Sequence, residues 1–171
     1  MTTATTASKA LVDDLVSANH ILFVEGVVDG FGHVSVRHDG RDDRFLLACG
    51  VAPATVTADD FVEVDYDGTV HDAAGRRSYL ERFIHSEIYK ARPDVMAIVH
   101  SHSPAIIPFG VTRATLRPVC HMSGFLGFST PVFEIRDTAG ENNDMLVKSA
   151  ALGRALAQSL GSHLFALMRG H

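Results

Sequence analysis

Apolar residues recur at helical spacing over residues 8–25, at Leu11, Leu15, Val16, Ile21, Leu22 and Val24, and Gly26 stops the run. This predicts an amphipathic opening helix. A glycine-punctuated stretch, 26–32, leads into His33-Val34-Ser35-Val36-Arg37, whose strict alternation predicts a half-buried strand. Asp39-Gly40 marks a turn. Phe45-Leu46-Leu47-Ala48 is a short apolar run, and Phe61-Val62-Glu63-Val64-Asp65 with Asp67-Gly68 behind it predicts a strand and a hairpin turn. The first half is therefore expected to be mostly antiparallel β.

In the second half, Ser78 is placed to cap a helix running to about Ala91, with Glu81 at its third position in a capping-box spacing and Arg92-Pro93 ending it. The inward face includes Leu80, Phe83, Ile84, Glu87 and Ile88. Residues 95–99 form a continuous apolar run, expected as a fully buried strand that delivers His100-Ser101-His102 at its end. Ser103-Pro104 opens a short helix, 132–135 reads as a strand, and 149–160 reads as a helix stopped by Gly161. A last strand, 163–168, carries the chain to His171. No repeat, linker or low-complexity segment interrupts this order.

The chain has 171 residues and is 46% hydrophobic, enough for one αβ domain with a core and too few for two. A net charge of −5 with no Lys/Arg block argues against nucleic acid or an anionic membrane as partner and favours a small molecule. Cys49 and Cys120 form no CxxC pair, so a reducing compartment and two buried, unreactive thiols are expected. Residues 1–10 are Thr/Ala-rich without an apolar core, and no later run is long enough to span a bilayer. The expectation is a soluble, cytoplasmic protein.

The strongest chemical signal is His100-Ser101-His102, because side chains at i and i+2 of a strand share a face and two imidazoles can grip one cation. A third ligand has to come from elsewhere. His171 is the candidate, since the apolar run before it is expected to add a strand to the same sheet. Among the ten histidines, His20, His38, His71 and His163 are expected at the surface. His33 and His121 border segments expected to line a pocket, either as substrate contacts or as ordinary hydrogen-bonded residues. His85, one turn after Glu81, either orients that carboxylate or only covers the helix. Glu81 itself either caps its helix or serves as an acid/base, its pKa raised by burial and lowered by a cation and the helix dipole. The loop from Gly26 to Gly32 lacks the GxGxxG spacing and follows a helix, which excludes a dinucleotide loop; a tight turn aiming N–H groups at an anionic substrate is expected instead.

Taken in order, Gly-x-x-x-x-Phe-Gly-His33-Val-Ser-Val-Arg37, Glu81-x-x-x-His85-x-x-x-Tyr89, Arg92-Pro93-Asp94-Val95-x-Ala97-Ile98-Val99-His100-Ser101-His102 and Leu167-Met168-x-x-His171 resemble the class II aldolase/adducin family over nearly the whole chain. The resemblance implies an α/β fold, a three-layer αβα sandwich around a largely antiparallel sheet, in a cyclic homotetramer with sites at subunit interfaces. It also implies that His100, His102 and His171 bind one divalent metal and that Glu81 is the acid/base. Zinc suits the nitrogen-rich set, with manganese or iron as alternatives. Gly32, His33, Ser35, Arg37, Tyr79 and His121 are the candidate substrate contacts.

The departures narrow the reading. Phosphate-binding aldolases of the family carry a serine pair before the glutamate and an asparagine in the glycine loop, where this chain has Tyr79-Leu80 and His33; Met122 falls near the position of the aldolase tyrosine. These features resemble the decarboxylase branch, typified by 3-hydroxy-2-methylpyridine-4,5-dicarboxylate 4-decarboxylase. The expected activity is metal-dependent decarboxylation of a hydroxylated aromatic or pyridine carboxylate, with Arg37, Arg76, Arg77 and Arg82 available for a second carboxylate. An aldolase or epimerase on a hydroxy-carbonyl substrate, and an adducin-like module without chemistry, are the alternatives. Members of the family usually continue beyond the last histidine, so residues 1–171 are expected to be one domain lacking a C-terminal strand and helices, with His171 poorly supported.

Overall fold

A computed structural model describes residues 6–71 and 73–171; residues 1–5, the first part of the polar start, lie outside the described residues. Helix α1, Lys9–Val24, begins where the Ser8 hydroxyl accepts the Leu11 N–H and ends just before Gly26, whose φ of +67° favours glycine. Strands β1 (His33–Arg37), β2 (Arg44–Ala48), β3 (Phe61–Asp65), β4 (Val70–His71) and β5 (Ala97–His100) form one sheet in the order β4-β3-β2-β1-β5, every neighbouring pair antiparallel. Helix α2, Arg82–Ala91, separates β4 from β5. After β5 come α3 (Ile107–Val111), β6 (Val132–Phe133), α4 (Arg136–Ala139), α5 (Ala150–Leu160) and β7 (Leu167–Met168).

The period-two pattern sorts the strands' side chains into two cores. Val34 of β1 and Leu46 of β2 pack on Leu15 of α1, while Phe45, Leu47, Val62 and Val64 point the other way, onto Tyr89 of α2. Ile84 and Ile88 of α2 then pack against Leu156, Ala157 and Leu160 of α5, with Phe133, Ile135 and Val147 completing that cluster. Helices thus cover both faces of a mostly antiparallel sheet. The approach of α5 to α2 is set by Gly153, where a Cβ would lie 2.3 Å from the Phe83 carbonyl oxygen and 3.0 Å from Glu87 Cγ.

Five expectations are corrected. The run 95–99 is not a fully buried strand: β5 is the last strand of its sheet, and α1 packs over β1, β2 and the start of β3, on the far side, leaving Val99 44% exposed. Residues 163–168 do not extend the histidine-bearing sheet, because Leu167–Met168 pairs in parallel with Val132–Phe133 in a separate two-stranded sheet. Helix α2 starts at Arg82 rather than after Ser78, whose backbone pairs with Cys49 in an isolated bridge. Cys49 is buried as expected but Cys120 is exposed, and His38, expected at the surface, is buried with Nδ1 accepting the Gly40 N–H at 2.9 Å.

Candidate metal centre

The antiparallel register of β1 with β5 sets His33 opposite His100 at the end of the sheet. His102 lies just past the strand, and its ring meets that of His100 edge-on, with the Nε2 atoms 3.0 Å apart. His171 arrives from β7 through Gly170, which takes a φ of +75°. Its Nε2 stands 3.2 Å from that of His100 and 3.3 Å from that of His102. These separations match a tetrahedral cation site, whose corners lie about 3.3 Å apart when metal–nitrogen bonds are about 2.0–2.1 Å.

The tautomers make the same demand. His102 Nδ1 lies 3.1 Å from Asp29 Oδ1, and His171 Nδ1 lies 2.9 Å from the Met145 carbonyl oxygen. Both partners only accept, so each Nδ1 carries the proton and each Nε2 turns a lone pair inward. Two bare nitrogens 3.3 Å apart repel unless a cation or an extra proton lies between them. The residues present therefore fit a divalent metal. His171, expected to lack support, has it from Met145, a residue held at φ +63°.

Glu81 occupies the residue before α2 and does not cap it, so the capping-box alternative is overturned. Its Oε1 accepts the Val147 N–H at 2.9 Å, and its Oε2 lies 3.5 Å from His100 Nε2 and 3.3 Å from His171 Nε2. All four donor atoms fall within 4.8 Å of one another. Burial acts to raise the Glu81 pKa, but the neighbouring His100 and His171 imidazoles outweigh it and hold the carboxyl far below the usual range. Burial lowers the pKa of His100, whereas for His171 the Glu81 carboxylate outweighs burial and raises it.

The remaining candidates separate by position. A cleft of about 490 Å³ is lined by Asp29, Phe31, His33, Tyr79, Leu80, Glu81, His102, Leu146 and His171. A larger cleft of about 680 Å³, beside α4 and the start of α5, contains no histidine. Tyr79 gives its ring to the first cleft but donates its hydroxyl to the Val51 carbonyl at 2.5 Å, and burial pushes its pKa up to about 12. Gly32 is the tight point of its loop: a Cβ there would meet Val28 Cβ at 2.8 Å and the His100 carbonyl oxygen at 3.0 Å. The N–H groups of Phe31 and Gly32 are donated to Asp29 Oδ1, at 2.9 and 2.7 Å, so the loop cradles its own carboxylate instead of a substrate anion.

Ser35 is fully buried behind His85, and Arg37 is bound to the Val95, Tyr89 and Arg92 carbonyls and the Tyr66 hydroxyl. Neither lines the cleft. Of the other arginines, Arg82 donates to the Gly68 and Tyr79 carbonyls. His121 is exposed at the start of a 3-10 turn, His121–Leu126, away from the cleft lining. Asp29, an acidic residue inside the glycine loop and absent from the sequence-derived candidates, holds His102 Nδ1 beside the centre. Burial opposes its charge, but the bonds from His102, Phe31 and Gly32 keep its pKa below the ordinary value.

A mostly antiparallel sheet flanked by helices, with this centre at its end, defines a class II aldolase-type protein. The sequence accordingly matches the Class II Aldolase and Adducin N-terminal domain over residues 13–171, and the chain belongs to that family. It is 39% identical over 176 residues to the decarboxylase tropJ of Talaromyces stipitatus, covering 94% of this chain and 65% of that protein. It is 26% identical over 163 residues to 3,4-dihydroxyphthalate decarboxylase of Rhodococcus jostii, covering 90% and 65%. The chain thus spans just under two thirds of the length of both relatives. The L-fuculose-1-phosphate aldolase of Thermus thermophilus shares the fold, with a TM-score of 0.74 at 23% identity over 96% of this chain and 78% of the other.

Proposed function

We propose that this chain forms the metal-binding domain of a divalent-metal-dependent carbon–carbon lyase that decarboxylates a hydroxylated aromatic or pyridine carboxylate. The observation that carries the reading is the convergence of the His100, His102 and His171 Nε2 atoms with Glu81 Oε2. Zinc is the metal best suited to three imidazoles, with manganese or iron as alternatives. A cation bound there supplies Lewis acidity to an oxygen beside the reacting carbon, where breaking the C–C bond leaves negative charge.

The chain's own residues account for binding and proton movement. Phe31, Tyr79, Leu80 and Leu146 supply aromatic and apolar walls, which suit a planar ring better than a polyhydroxylated chain. Glu81, ionised at rest, accepts the hydroxyl proton of an ortho-hydroxy carboxylate. As the bond to the carboxylate carbon breaks and carbon dioxide leaves, the electron pair stays on the ring carbon and Glu81 returns the proton there. One solvent proton then restores the hydroxyl.

The same reading treats residues 1–171 as one class II aldolase-type domain of a homotetramer. Support for assembly comes from exposed apolar side chains at Val119, Met122, Phe125 and Phe128. No helix among the described residues is long and apolar enough to cross a membrane.

Elemental analysis of the purified protein beside a His100→Ala/His102→Ala variant tests the centre. About one divalent ion per chain, lost in the variant, is expected, together with carbon dioxide release from a hydroxy-aromatic dicarboxylate. Aldehyde release without carbon dioxide would move the assignment to an aldolase. Absence of metal from the unaltered protein would overturn both.

A further inference from the structure

Four buried polar side chains run in single file from the core to the cleft. The Tyr89 hydroxyl lies 2.8 Å from Ser35 Oγ, Ser35 Oγ lies 2.6 Å from His85 Nδ1, and His85 Nε2 lies 2.7 Å from His33 Nδ1. None of the four is more than 2% exposed. His33 lines the cleft, and among the described residues its Nε2 has no hydrogen-bond partner. The file therefore ends on one free ring nitrogen facing whatever the cleft binds.

Proton counting sets the direction of the file. Each link needs one proton and one lone pair, and the neutral groups carry one proton each: two hydroxyl and two imidazole. With the bonds running outward, Tyr89 donates to Ser35, Ser35 to His85 Nδ1, and His85 Nε2–H to His33 Nδ1. The fourth proton then sits on His33 Nε2. With the bonds running inward, His33 Nε2 is bare and the fourth proton is that of Tyr89 itself. That proton has no acceptor among the described residues: the Tyr89 ring packs against Phe45 and Tyr66 with the Arg37 guanidinium 4.7 Å above it, and Arg37 only donates. A buried donor without a partner disfavours the inward arrangement by about tenfold or more. Burial lowers the His85 pKa to about 3, and among the described residues no carboxylate is hydrogen-bonded to either ring, so the file is counted with both imidazoles neutral.

We infer that the Tyr89–Ser35–His85 file locks His33 in its Nε2–H tautomer, making it a fixed hydrogen-bond donor that selects ligands with an acceptor oxygen at that wall of the cleft. The inference deepens the lyase reading and rests on it for the ligand class: His33 faces a carboxylate or hydroxylate oxygen of the ring substrate. Ser35, His85 and Tyr89 are positioning residues, acting only through His33.

Long-range proton–nitrogen NMR on the metal-free, nitrogen-15-labelled chain reads the tautomers directly, with His33→Asn and His85→Gln assigning the signals. Wild-type protein is expected to show Nε2–H on both rings, and Ser35→Ala to admit the Nδ1–H form at both. Nδ1–H at His33 in the wild type overturns the inference. In the zinc-loaded protein, binding of 2-hydroxybenzoate is expected to weaken about tenfold or more in His33→Phe and to recover in His33→Asn, which keeps an N–H donor. Equal loss in both variants, or no binding to the wild type, also overturns it. The tautomer is read without metal or turnover, so a wrong tautomer leaves the lyase reading standing, and a failed metal assay leaves the tautomer result intact.

Discussion

At the residue scale, three of the four groups in the centre have their second atom already committed. His102 is held by Asp29, His171 by the Met145 carbonyl, and Glu81 by the Val147 N–H. Removing such a partner frees the ligand to rotate without deleting it. Asp29→Ala is therefore expected to weaken zinc binding about 10- to 100-fold, measured by competition with a chromophoric chelator. Asp29→Asn, which keeps an acceptor for His102, should lose less. Glu81→Gln preserves the acceptor for Val147 and the shape of the site but removes the base. It should cost about 10²- to 10⁴-fold in decarboxylation rate while zinc stays bound, so turnover and metal content measured on one sample separate the roles.

At the element scale, position follows from how strands and helices meet. The register of β1 with β5 sets His33 beside His100, and the late start of α2 releases Glu81 from capping. The contact of α5 with α2 leaves no room at Gly153, where a Cβ would overlap the Phe83 carbonyl. Gly153→Ala should therefore destabilise the protein by about 1–3 kcal/mol through overpacking, although alanine is the better helix former. Urea unfolding checks the sign, since an exposed helical glycine would respond in the opposite direction. The element boundaries that local signals mark well are those of α1 and α5, expected over 8–25 and 149–160 and found at Lys9–Val24 and Ala150–Leu160, with Ser8 and Ser149 as caps. The misread elements, β5 and the start of α2, depend on what lies above them. A continuous apolar run looks buried on both faces, but among the described residues no helix covers the outer face of β5, where Val99 is exposed.

At the scale of the whole molecule, burying uncharged histidines next to the centre makes stability depend on pH. The folded-state pKa values of His85, His33 and His100 are depressed. Their contribution is thus complete above the unfolded value of about 6.5 and is lost as pH falls below it. Glu81, also depressed, adds to the loss only below its own unfolded range. His171, raised by Glu81, runs the other way, one group against three. Metal-free protein is therefore expected to lose stability below about pH 6.5, at up to about 1.4 kcal/mol per pH unit for each buried histidine. The slope should flatten by about one proton in His85→Gln, measured by urea unfolding between pH 7.5 and 5.5 in chelator.

What the sequence by itself determined is whatever depends on spacing along one segment. It marked the helix of α1, the alternation of β1 and β3, the His-x-His pair at the end of an apolar run, and the motif order that carries the family resemblance. What only the tertiary structure decided is how polar atoms that several neighbours compete for are shared out. Arg37 and Ser35 sit on the strand beside the cleft, yet Tyr89, Val95 and His85 claim their polar atoms first. The glycine loop has N–H groups to offer, and Asp29 takes them. Glu81 sits at capping distance from Ser78, and His100, His171 and Val147 draw its carboxylate away. His171 reaches the centre from a different sheet than its apolar run implies. In each case the physical reason is the same: hydrogen-bond capacity is finite, and its partners lie far apart along the chain but adjacent in the fold.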